Sequence, residues 1–110
     1  MANYFKNNIV SSIGTNGAIV YQVPSATTTT VIGVNVANTS NQNISVSVMA
    51  RDNSGNKVAY LVKDALIVQG SSTVLIGGEQ KLVLETTDFL SVTSSLANSA
   101  DVIVSVLELT

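Results

Sequence analysis

This 110-residue chain contains seven acidic residues but no histidine and no cysteine, so any acid–base chemistry it performs would rest on carboxylates. Ser-His-Asp and Cys-His machinery is excluded, as are disulfides, thiolate metal sites and ordinary zinc sites. Glycoside hydrolysis would need two carboxylates facing each other across a cleft. Glu85 and Asp88 are close in sequence, but that spacing matches a solvated strand end better than a cleft. Asp52-Asn53-Ser54-Gly55-Asn56 offers oxygen ligands at alternate positions, as a calcium loop does. Counted from Asp52, the loop positions that require glycine and a bidentate glutamate hold Lys57 and Lys63. The segment therefore reads as a hairpin turn.

Gly77-Gly78 lacks the lysine and the following helix of a phosphate-binding loop, and reads as a turn. A sugar platform would call for exposed aromatic rings. The chain has no tryptophan, and its five aromatic residues are Tyr4, Phe5, Tyr21, Tyr60 and Phe89. Asn38-Thr39-Ser40 and Asn43-Ile44-Ser45 match the glycosylation acceptor pattern but read as polar turns. The expectation is no catalytic residue, no metal and no cofactor.

The net charge is −2, from five basic and seven acidic residues scattered singly along the chain. There is no basic stripe of the kind nucleic-acid binders carry. Charged residues form 11% of the chain against roughly 25% in a typical soluble domain, which leaves little charge to keep its surfaces apart. The opening residues lack the pattern of an export signal, and no apolar run is long enough to span a membrane as a helix. Synthesis in a cytoplasm, with no membrane or nucleic-acid partner, is expected.

These side chains are positioned by strands. Ile44, Val46, Val48 and Ala50 alternate with Ser45, Ser47, Met49 and Arg51, the period-two signature of a half-buried strand. The spacing predicts strands over 31–38, 43–51, 57–64, 72–77, 81–85, 89–96 and 101–109. The turns between them recur often enough to predict an all-β, antiparallel β-sandwich, Ig-like or jelly-roll-like, over residues 31–110.

Two strands are apolar on both faces. Val102, Val104 and Val106 share one face and Ile103, Leu107 and Leu109 the other; likewise Val58, Tyr60 and Val62 oppose Ala59 and Leu61. A sandwich covers only its inner face, so a neighbouring subunit is expected over the second. The alternative is a few small apolar residues left exposed, which is ordinary.

Residues 1–30 differ in kind. They form either a hairpin closed at Asn16-Gly17 that joins the same sheet or an arm that pairs with a neighbour's sheet edge. The candidate assembly residues are Tyr4, Phe5, Ile9, Val10, Ile19 and Tyr21. Truncation before Thr27 is expected to abolish assembly and leave a folded sandwich.

Several stretches resemble small β-sandwich virion proteins of tailed bacteriophages. They are Val31-Ile32-Gly33-Val34-Asn35-Val36-Ala37-Asn38-Thr39-Ser40, Lys57 to Asp64, Leu82 to Thr93 and Asn98 to Glu108. The glycine usual before the acid in that group is Thr87 here. The resemblance implies a non-enzymatic structural protein of the virion, most specifically a capsid decoration protein. Its implied partners are further copies of itself and the major capsid protein, or neck and tail proteins. Neck, collar or tail accessory roles are the alternative, and a glycan- or host-surface-binding module is the third reading.

Overall fold

The computed structural model describes residues 2–76 and 81–110. Among the described residues there are nine strands: β1 (Asn3–Ile13), β2 (Ala18–Gln22), β3 (Thr28–Asn38), β4 (Ile44–Asp52), β5 (Lys57–Ile67), β6 (Ser72–Ile76), β7 (Leu82–Leu84), β8 (Phe89–Ser94) and β9 (Ala100–Leu109). The seven strands read from alternation all form, with ends within about three residues of expectation. The Gly77-Gly78 turn lies outside the described residues.

The fold is an antiparallel sandwich. One sheet runs β1-β9-β3-β6, with β7 also on β3, and the other runs β2-β8-β4-β5. The pairs β4–β5, β3–β6, β2–β8 and β1–β9 are nested one inside the next. A long antiparallel ribbon rolled up so that β9 lands beside β3, and β8 beside β4, gives this order. With β7 set aside, it is the eight-stranded jelly roll. The buried faces are dominated by valine, including Val34, Val36, Val46, Val48, Val92, Val102, Val104 and Val106. Branching at Cβ suits a pleated surface, and the alternation puts these side chains between the sheets.

The N-terminal segment departs from the hairpin expectation. Gly17 N–H donates to the Gly14 carbonyl at 3.3 Å, so the Asn16-Gly17 turn does form. Gly17 has φ +74°, and a Cβ there would sit 2.8 Å from Thr93 Oγ1. Yet β1 pairs with β9 and β2 pairs with β8, in opposite sheets. The cause lies one step earlier: Ser11 and Ser12 bulge against Asp101, and Ser12 takes φ 59°. That bulge turns the chain inward at buried Ile13, so the turn crosses between layers.

Thr87 also lies in the left-handed region, with φ 71°, an unfavourable place for a β-branched residue. Its backbone is used on both sides: the N–H donates to the Val23 carbonyl, and the Thr87 carbonyl accepts from Asn53 Nδ2 at 2.8 Å. The conformation is therefore fixed and the side chain is a liability. Thr87→Gly is expected to stabilise the fold by about 1 kcal/mol, read as a raised urea midpoint at unchanged slope.

Candidate assembly surface

Most of the carboxylates hold the chain together locally. Asp52 Oδ1 accepts from Ser54 Oγ and Gly55 N–H, closing the β4–β5 hairpin as the turn reading expected. Those bonds, the Gly55 backbone first, hold the Asp52 carboxyl below its usual range. Asp101 Oδ1 accepts the Ser12 N–H at the bulge. Asp88 corrects the solvated strand-end reading, since it is buried while Glu85 is exposed. Its two oxygens accept backbone N–H groups of Asn53 and Glu85, each at 3.0 Å, tying two turns together. The segment from Leu84 to Asp88 is a backbone clamp. Among the described residues no group of three or more acidic side chains is placed to hold a metal ion.

Glu108 lies inside the sandwich, nearly fully buried. Tyr21 donates its hydroxyl to Glu108 Oε2 at 2.6 Å and lies 2.8 Å from Thr29 Oγ1. Lys6 Nζ pairs with Glu108 Oε1 at 2.9 Å. Burial, reinforced by the bond to Glu108, pushes the Tyr21 phenol up to about 12. For Glu108 burial opposes ionisation, but the Tyr21 hydroxyl and the Lys6 ammonium outweigh it and hold the carboxyl below its ordinary value. A carboxyl lowered by folding stabilises the protein above its unfolded pKa, and that contribution fades as pH falls through the folded value. Melting temperatures measured from about pH 6 down to about pH 3 should therefore fall less steeply for Glu108→Gln than for the native chain.

The six candidate residues do not form one patch. Phe5 and Ile9 share the outer face of the β1-β9-β3-β6 sheet, while Ile19 lies on the outer face of the other sheet. Val10 packs against the core and Tyr21 is inside it. Tyr4, next to Phe5 on the strand, is on the opposite side of the sheet and half exposed. Tyr4 and Phe5 thus cannot form a shared aromatic platform.

Sequence reasoning put Ile103 and Leu107 on an outer face but missed that Phe5, Ile9, Val74 and Val83 share it. In register, Phe5 is followed by Leu107, Thr30 and Val83, and Ile9 by Ile103, Asn35 and Val74. The row between them is Asn7, Ser105 and Gly33. None of these residues is charged. Phe5 is 77% exposed, Ile9 63%, Ile103 44%, Val74 67% and Val83 60%. Asn35 Oδ1 is buried within this face and, among the described residues, has no hydrogen-bond donor. The signal for Ile103 and Leu107 was the broken alternation of the last strand. Val74 and Val83 lie on short strands whose neighbours depend on the roll-up.

No protein-family profile matches this chain, and no curated protein sequence does either. Among solved structures, a chain from a Bacillus endospore appendage, of a family of disulfide-linked pili, is similar at TM-score 0.58 and 13% identity. That match covers 98% of this chain and 88% of the other. A chain of the infectious bursal disease virus particle is similar at TM-score 0.52 and 12% identity, over 96% of this chain and 35% of its own length. This chain thus spans about a third of the viral one. At such identities the shared property is the fold, a β-sandwich found in proteins of pili and icosahedral virus shells.

Proposed function

We propose that this chain is a non-enzymatic structural subunit of a bacteriophage virion, in particular a capsid decoration protein that docks across shell subunits. The observation that carries the reading is the uncharged, apolar outer face running from Phe5 and Ile9 to Val83 and Val74. The exposed apolar side chains lie in two rows of this face, either side of Asn7, Ser105 and Gly33, and exposed apolar side chains gathered on one face mark an interaction surface. The similar folds in a pilus and an icosahedral virus particle support an assembly role. Covalent linkage of the disulfide kind is closed to this chain, since it has no cysteine.

The test is location on purified particles. Decoration predicts many copies spread over the shell, whereas the neck or tail alternative predicts few copies on the tail axis. The double substitution Ile103→Glu with Val74→Glu should leave the core intact and strip the protein from particles. Unchanged incorporation would overturn the docking face. Glycan binding is the weaker reading, because Phe5 and Tyr4 point to opposite faces.

A further inference from the structure

We infer that β1 is a self-complementary edge through which two copies of this chain join into one continuous sheet, a partner that deepens the assembly reading above. Backbone direction sets the starting point. Ala2 and Thr110 exchange both of their N–H···O=C bonds, so in this register the even-numbered residues of β1 point their backbone at β9. The N–H and C=O groups of Asn3, Phe5, Asn7 and Ile9 therefore face away from the sheet, along its free edge.

Natural edges are normally blunted by lysine, proline, bulges or shortness. The opposite sheet follows that rule at β5, which carries Lys57, Lys63 and a kink at Asp64 with φ 54°. From Asn3 to Val10, β1 has an unbroken register and no proline. Its one charge, Lys6, is turned to the inner side and held by its own Glu108. Asn8 is likewise tied down, its Nδ2 donating to the Val20 carbonyl. The edge is straight, pinned and unprotected.

The sequence of that edge reads the same in both directions about Asn7. Lys6 and Asn8 are polar, Phe5 and Ile9 apolar, and Tyr4 and Val10 apolar. A twofold axis perpendicular to the sheet at Asn7 sets Phe5 against Ile9 of the second copy, and Tyr4 against its Val10. Lys6 then meets Asn8 instead of another charge. Moving the axis to Lys6 opposes two lysines and sets Phe5 against Asn7. Moving it to Asn8 sets Ile9 against Asn7. Only the Asn7 register matches polarity on both faces, and its three central pairs would add about six backbone hydrogen bonds. Such a twofold keeps both outer faces on one side. The Phe5 row of one copy then continues into the Ile9 row of the other, doubling the length of the docking face.

The chain has no cysteine, so Asn7→Cys gives a unique thiol at the proposed axis. Oxidation should link Asn7→Cys to itself, while Asn3→Cys, whose thiols would lie about 26 Å apart at roughly 3.3 Å per residue, should not self-link. Asn7→Pro removes only an N–H that faces away from β9, so each chain should still unfold in one cooperative transition. Both Asn7→Pro and Asn7→Lys, which puts two lysines face to face, should raise the dimer dissociation constant by at least about a hundredfold in sedimentation equilibrium. A native chain that sediments as a monomer at about 100 μM, with Asn7→Cys linking no faster than Asn3→Cys, overturns the pairing. That result would leave the Ile103→Glu/Val74→Glu test of docking untouched. A dimer paired at Asn7 in a protein missing from particles would instead sink the virion reading alone.

Discussion

Deleting residues 1–26 is expected to leave a chain with no cooperative unfolding transition, whether followed by circular dichroism or by urea titration. This reverses the expectation that truncation before Thr27 spares the sandwich. Ile13, Val20, Tyr21 and Val23 all lie in the core, and each is lost with the segment. Burying a side chain of this size contributes roughly 1.5–3 kcal/mol, so the four together are comparable with the roughly 5–15 kcal/mol net stability of a whole domain. The deletion also exposes the flanks of β9 and β8, which β1 and β2 cover. Glu108 would lose both its hydrogen-bond donor Tyr21 and its ion-pair partner Lys6. A truncated chain that melted sharply within a few degrees of the native one would show that the leading segment is dispensable to the fold. Loss of assembly on deletion therefore cannot by itself identify an interface, and point substitutions at Asn7 are the informative alternative.

Leu90→Ala should cost about 2–5 kcal/mol, the next largest loss expected from a simple change. Leu90 is fully buried at the middle of the β2-β8-β4-β5 sheet, in register with Tyr21 on one side and Ala50 on the other. Its strand is held on both sides, so the sheet cannot easily collapse into the space left behind. Leu90→Met keeps the volume and should cost less than about 1.5 kcal/mol. Urea midpoints at constant slope separate the two substitutions. Equal losses for alanine and methionine would mean that shape at this site matters more than the void.

The buried Tyr21–Glu108–Lys6 group links fold to edge. It lies between the layers at Tyr21, crosses to β9 at Glu108 and ends on β1 at Lys6. It ties Lys6, the one charge on β1, to the inner side of its own sheet. A buried acid, which on its own would weaken the core, thus fixes the side of the sheet on which the edge carries its one charge. The sequence shows each of the three residues but gives no sign that they meet, because 87 positions separate Tyr21 from Glu108.

Local pattern determined the strands. The alternation of Ile44, Val46 and Val48, the turn residues at Asp52–Asn56 and the apolar second face of the last strand each act over a few residues, and each reads correctly. Side-chain direction alternates along an extended chain, so the sequence alone separates core face from outer face where one of the two faces is polar, as in β4. It also excluded disulfides and thiolate or histidine metal sites, since the required atoms are missing.

Only the tertiary structure decided which strands are neighbours. Rolling the ribbon set β9 between β1 and β3, brought Val74 and Val83 onto the face begun by Phe5 and Ile9, and sent Tyr21 inside. It also converted the Asn16-Gly17 turn from a hairpin into a crossing between sheets, through the bulge at Ser11 and Ser12. Strand pairing is a contact between distant segments, chosen by how a whole set of apolar faces can be buried at once. No local window of residues carries that information.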